Sequence, residues 1–136
     1  MFKQAGRLER LLKEHFPQAR FIQRASQHSE SMEGFKIKPG EPVRLRIKEN
    51  GVLFEVEPSG GFKTGFFCDQ RENRLALAGL CAGKRVLDVC SYTGGFALYA
   101  KKLGGAAEVT SVELDPDASA MAKKNANISN IKIVWH

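Results

Sequence analysis

Three features of this 136-residue chain point to an α/β protein. From residue 61 onward, apolar strand-like runs alternate with amphipathic helical ones, which is how a parallel sheet with right-handed crossovers is built. Within that region, Val86-Leu87-Asp88-Val89 runs through Cys90-Ser91-Tyr92-Thr93 into Gly94-Gly95-Phe96, a buried strand handing over to a helix across a turn of small residues. Earlier in the chain, two alternating runs flank Asn50-Gly51, the strongest short-range hairpin signal. The expected architecture is a small α+β domain with a β-hairpin over residues 1–60, then a Rossmann-like parallel sheet over 61–136.

Each element has its own warrant. Phe2, Ala5, Leu8, Leu11, Leu12 and Phe16 recur at helical spacing opposite Lys3, Arg7, Arg10 and Lys13, and Pro17 stops the helix. Residues 19–24 read as a strand, and the polar stretch 26–33 as a loop. Val43, Leu45 and Ile47 alternate with Arg44, Arg46 and Lys48; after the turn, Val52, Phe54 and Val56 alternate with Leu53, Glu55 and Glu57. A two-residue loop pairs Ile47 with Phe54 and Leu45 with Val56, and sets Arg46 opposite Glu55 and Arg44 opposite Glu57. With carboxylates facing them, these arginines lose weight as an RNA-gripping stripe. Pro58-Ser59-Gly60-Gly61 is a breaker cluster and the expected boundary. A helix is expected to start at Asp69, capped by that residue with Glu72 three positions on, to bury Leu75, Leu77, Ala78 and Leu80, and to stop at Gly83. Strand 85–90, helix 94–103, strand 107–113, helix 116–127 and strand 131–135 follow. A doubly wound sheet has five or more strands, so the parallel sheet is expected to be the first half of its fold.

Bulk properties narrow the class. Composition is that of a globular domain, 43% hydrophobic and 26% charged, with no apolar run near the ~20 residues that span a bilayer and no visible signal peptide, so a cytoplasmic protein is expected. The net charge of +6 is spread evenly: residues 1–60 hold 11 Lys and Arg against 8 Asp and Glu, and residues 61–136 hold 10 against 7. Basicity of this kind suits a phosphate-backbone partner and equally a solvated surface. Cys68, Cys81 and Cys90 lack metal-ligand spacing, so no metal site is expected, and Cys81 and Cys90 read as small packing residues.

The turn at residues 88–95 carries the chemistry. Gly94 and Gly95 leave room for a ligand backbone, and amides opening the next helix can donate to an anion. Asp88 can accept from a ligand ammonium. Glu113 ends the next strand 25 residues on, where a carboxylate can take both hydroxyls of a ribose. A dinucleotide site would read G-x-G-x-x-G. An acid at the strand end with Gly-Gly last would repel a pyrophosphate but suits an amino acid's ammonium, which favours S-adenosylmethionine over a dinucleotide and disfavours an oxidoreductase.

The segment Gly60-Gly61-Phe62-Lys63-Thr64-Gly65-Phe66-Phe67-Cys68-Asp69-Gln70-Arg71-Glu72-Asn73-Arg74 resembles the K-T-G-x-x-x-D-Q-R signature of a class I S-adenosylmethionine-dependent methyltransferase family that includes large-subunit rRNA cytosine-C5 methyltransferases. Leu87 to Phe96 is similar to that family's first cofactor motif, with Cys90 where the family often has Phe, and Val112-Glu113-Leu114-Asp115 to its second. The resemblance covers about residues 30–136. It implies a cofactor pocket made of Lys63, Thr64, Asp69, Gln70 and Arg71 from the signature, Asp88, Ser91, Tyr92, Thr93, Gly94 and Gly95 from the first motif, and Glu113 from the second. Asp69 could instead be only a helix cap, Arg71 and Arg74 only surface charges, and Tyr92 only packing. The family's catalytic cysteine and its later motifs have no counterpart here, so the resemblance implies an N-terminal fragment of an rRNA methyltransferase, without catalytic residues and inactive alone. The competing reading is a non-enzymatic association module that pairs with another copy through an exposed sheet edge.

Overall fold

The computed structural model describes residues 4–22, 25, 30–32, 34, 36–37, 43–58 and 65–136. Contacts gather the chain into two compact units, Met1–Gly40 and Glu41–His136. In the first, helix α1 (Ala5–His15) forms over the expected register and ends ahead of Pro17, with Lys13 paired to Glu9 one turn back at 2.7 Å. Residues 19–22, expected in a strand, take no strand conformation, since no described strand of this unit offers a ladder to join; residues 23–24 lie outside the described residues.

The second unit opens with the hairpin β1 (Leu45–Glu49) and β2 (Val52–Val56), in the register that the charge and apolar patterns require. Val52, Phe54 and Val56 are buried against Phe66, Ala78, Leu98 and Tyr99, with Phe54 at 5.0 Å from the Phe66 ring centroid. Three helices follow: α2 (Arg71–Ala78), α3 (Gly95–Lys102) and α4 (Pro116–Ile128). Between them run β3 (Arg85–Val89), β4 (Glu108–Val112) and β5 (Val134–Trp135), parallel and in the order β3-β4-β5. Alternation places Val109 and Ser111 on the helix-covered face, whereas Leu87 and Val89 are 65% and 60% exposed on the other.

By contact the hairpin belongs with the parallel sheet, not with residues 1–40. The break in contacts falls after Gly40, while the breaker cluster reads as a boundary near residue 60. The reason lies in α4, which closes the free edge of β2. The Glu55 amide donates to Asn125 Oδ1 at 2.7 Å, and Ser129 Oγ donates to the Leu53 carbonyl at 3.0 Å. Side chains one helical turn apart thus meet two of the outward-facing backbone groups of the strand, an N–H and a C=O.

The charged face of the hairpin also differs in detail from the cross-strand pairing. Arg44 bonds Glu57 at 3.0 Å, but Arg46 stands 3.9 Å from Glu55, whose carboxylate takes the Lys124 ammonium instead. That hydrogen bond, opposed by burial and reinforced by the charges of Lys124, Arg44 and Arg46, holds the Glu55 carboxyl below its ordinary value of 4.5. A depressed folded-state value contributes stability that is complete above 4.5 and lost as pH falls through the lowered value. Glu55→Gln is expected to flatten this acid limb, read as the change in Tm between about pH 7 and pH 3.

The start of α2 corrects the expected cap. A 3-10 turn, Cys68–Gln70, precedes the helix, so Gln70 occupies the cap position without a side-chain bond and Asp69 caps nothing. Of the expected apolar face, Ala78 is buried and Leu77 packs half-buried against the core, but Leu75 and Leu80 are exposed and Arg74 is buried in their place. The helix also ends at Ala78 rather than at Gly83, which instead turns left-handed (φ 68°) and donates to the Gly105 carbonyl.

Candidate functional site

The turn after β3 alternates in hand: Cys90, Tyr92 and Gly94 all have positive φ, at 59°, 51° and 81°. For Cys90 and Tyr92 this costs roughly 1–2 kcal/mol each, so surrounding bonds must hold the conformation. The Ser91 amide donates to the Val112 carbonyl at 3.1 Å, and the Gly94 amide to the Ser91 carbonyl at 2.9 Å. The Tyr92 amide donates to Glu113 Oε2 at 2.6 Å, while Glu113 Oε1 accepts from the Asp115 amide at 3.0 Å. Asp88 Oδ2 accepts from the Ala97 amide at 3.0 Å, the bond a capping side chain would make had the cap residue not been Gly94. The two acids read as ligand groups are therefore also the braces of the turn. Each keeps lone pairs in reserve, and Asp88 Oδ1 has no partner among the described residues.

The packing of the protein itself also requires the two glycines. A Cβ on Gly94 would lie 2.9 Å from Leu98 Cδ1 and 3.3 Å from the Trp135 ring, and one on Gly95 would meet the Arg74 side chain at 3.2 Å. Protein atoms occupy the space into which side chains at these positions would project, because α3 starts wedged between α4, β5 and Arg74. The Gly95 and Phe96 amides, in the first helical turn, have no hydrogen-bond partner among the described residues and remain available to an anion.

Burial pushes the Asp88 carboxyl above its ordinary value of 3.8; the Ala97 amide opposes this and the Glu113 charge adds to it. Between 3.8 and the raised value the folded chain binds the extra proton, so Asp88 costs stability as pH rises through that window. Asp88→Asn keeps an acceptor for Ala97 and removes the buried charge. We expect it to stabilise the fold at neutral pH, by roughly 0.5–1 kcal/mol in a urea titration, while weakening any ligand bound through its ammonium.

A sequence profile of the S-adenosylmethionine-dependent methyltransferase family matches residues 18–132. The chain belongs to this family. It is 41% identical over 126 residues to a ribosomal RNA large subunit methyltransferase I of Aeromonas salmonicida, covering 87% of this chain and 31% of that one. It is 51% identical over 79 residues to a ribosomal RNA large subunit methyltransferase of Deinococcus radiodurans, covering 58% of this chain and 19% of the relative. The chain thus spans about a third or less of the relatives' length. Among solved structures, the fold matches a protein described as a methyltransferase and crystallised with SAH, at a TM-score of 0.72 and 23% identity, over 97% of this chain and 34% of that one.

Of the methyltransferase signature, Lys63 and Thr64 lie outside the described residues. Asp69 is exposed and accepts from the Gln70 side chain at 3.3 Å; Arg71 is exposed beside Glu72. Gln70 joins Ser91, Tyr92 and Thr93 around a cavity of about 270 Å³, walled by Phe67 and Tyr92 in edge-to-face contact at 5.3 Å. Cys90, expected to pack, is instead exposed at the rim of this cavity, because its left-handed backbone turns it off the strand; Cys81 is buried and donates to the Leu77 carbonyl. Ser91 Oγ is buried with no hydrogen-bond partner among the described residues, as is Ser111 Oγ on β4.

Three functional supports went unread in the sequence. Arg74 is 2% exposed; its guanidinium holds Glu49 through Nε at 2.9 Å and Nη2 at 2.7 Å, donates to the Phe67 carbonyl, and lies over the Phe66 ring. Tyr99 donates to the same Glu49 oxygen at 2.8 Å. Asn125 is fully buried between β2 and the turn. A charged residue in a helix gives no sign of burial until its partner, 25 residues earlier, is placed beside it.

Proposed function

We propose that this chain binds S-adenosylmethionine at the 88–95 turn, as part of an enzyme that methylates large-subunit rRNA, with cytosine C5 as the target atom. The observation that carries the reading is the turn itself: two braced carboxylates at the ends of adjacent parallel strands flank two free helix-start amides. In this arrangement Asp88 takes the cofactor's ammonium, the Gly95 and Phe96 amides and Ser91 Oγ its carboxylate, and Glu113 its ribose hydroxyls. Bound there, the cofactor supplies the methyl group. Lys63, Thr64, Asp69, Gln70, Arg71, Tyr92 and Thr93 would line the rest of the pocket. The names of the Aeromonas and Deinococcus relatives support rRNA as the substrate. An RNA partner and a cytoplasmic site of action go with this function, and no described helix is long and apolar enough to cross a membrane. Residues 61–136 would then be the cofactor half, with the hairpin as a small domain docked on it. Self-association through a sheet edge is a secondary expectation, read by sedimentation at rising concentration.

Calorimetric titration separates the ligand classes. Heat from S-adenosylmethionine, and none from a dinucleotide, supports the reading; heat from the dinucleotide alone sinks it.

A further inference from the structure

We infer that Asn125 is a positioning residue for the cofactor turn, through which β2 of the hairpin sets the orientation of the Thr93–Gly94 peptide. The inference rests on the reading of that turn as the cofactor site. Asn125 is fully buried, and its carboxamide is spent on two different elements: Oδ1 accepts from the Glu55 amide at 2.7 Å, and Nδ2 donates to the Thr93 carbonyl at 3.3 Å. The two partners fix which end of the amide is which, since an N–H needs the oxygen and a carbonyl needs the nitrogen. The Thr93–Gly94 peptide is thereby held at both ends, its carbonyl by Asn125 and its N–H by the Ser91 carbonyl at 2.9 Å. That peptide leads into the left-handed Gly94, the residue that aims the Gly95 and Phe96 amides. The other hydrogen bonds to the turn, from Val112, Glu113 and Asp88, come from the parallel sheet or the loop that follows it; Asn125 alone among these ties the turn to the hairpin. A shift of β2 against α4 therefore reaches the cofactor turn through the Asn125 side chain.

Ser129 provides the matched control. It bonds the same strand, at the Leu53 carbonyl, from the C-cap of the same helix, and makes no hydrogen bond to the turn among the described residues. Hydrogen exchange of the Gly94, Ala97 and Leu98 amides is measured in Asn125→Ala and Ser129→Ala, with β4 amides as the reference for global opening. Turn amides are expected to exchange roughly five- to tenfold faster, relative to β4, in Asn125→Ala only, the equivalent of one lost hydrogen bond. Equal turn exchange in the two variants would overturn the inference. Should Asn125→Ala fail to fold, the Asn125 side-chain amide protons of the unaltered chain decide: slow exchange supports the bond to Thr93, and exchange as fast as that of an exposed Asn such as Asn127 refutes it. Adding S-adenosylmethionine to the unaltered chain tests the underlying reading separately. Protection of the turn amides with equal exchange in both variants sinks only the positioning role. Faster exchange in Asn125→Ala without protection by the cofactor sinks only the cofactor reading.

Discussion

Arg74→Ala is expected to cost about 3–5 kcal/mol, a large share of the about 5–15 kcal/mol that a domain of this size has in hand. The guanidinium is buried, and truncating it strands the largely buried Glu49 carboxylate with the Tyr99 hydroxyl as its remaining donor among the described residues. It also removes one of the two donors to the Phe67 carbonyl, leaving the Gln70 amide, and opens a void against Gly95. The loss is that of an uncompensated buried charge, not of the pair's own attraction, and this can be checked. Arg74→Met combined with Glu49→Met should recover a large part of the stability, because replacing both members of a buried pair by apolar residues is often close to neutral. Urea denaturation of the single and double variants reads the difference. If the double variant is as unstable as Arg74→Ala, the cause lies in lost packing around Arg74 and not in the stranded charge.

Glu113→Gln is expected to behave as a severe change despite its near-identical shape. Each carboxylate oxygen accepts a backbone amide, from Tyr92 and from Asp115. A glutamine must turn its NH₂ toward one of these N–H groups, and two donors then face each other in a half-buried site. The expected loss is about 1–3 kcal/mol of stability, falling on the turn that carries Tyr92 in a left-handed conformation. Cofactor affinity should drop roughly tenfold or more, since hydrogen bonds to a charged group contribute about 1.5–3 kcal/mol each. Glu113→Asp keeps both acceptors but shortens the reach, so it should retain more stability than affinity. A Glu113→Gln chain as stable as the parent would show that the Tyr92 amide does not depend on this carboxylate.

Local chemistry decided which parts of this fold could be read from the residues. The hairpin was legible to the residue because Asn50-Gly51 and two matching periodicities left a single register, and Leu45 does face Val56. The strand, Gly-Gly and acid order of the cofactor turn was equally plain, since a parallel strand and its turn are specified within a dozen residues. Long-range pairing was not. Arg74 and Asn125 look like ordinary helix-surface residues, and only the hairpin folded back against α2 and α4 buries them. Asp69 failed as a cap because a 3-10 turn, Cys68–Gln70, precedes the helix and moves the cap position one residue on, to Gln70. The packing role of the glycines was not legible for the same reason as Arg74 and Asn125: their neighbours, Trp135 and the Arg74 side chain, come from elsewhere in the chain.

The central claim is that the turn between Asp88 and Phe96, with Glu113, is a site for S-adenosylmethionine. Amide NMR of the isotope-labelled chain during titration with S-adenosylhomocysteine tests it most directly, because fast-exchange shifts report even millimolar binding residue by residue. The account predicts the largest shifts at Ser91, Tyr92, Gly95, Phe96 and Glu113, with the exposed sheet face at Leu87 and α1 unmoved. Absence of shifts at the turn at saturating ligand, or shifts confined to another surface, would contradict it.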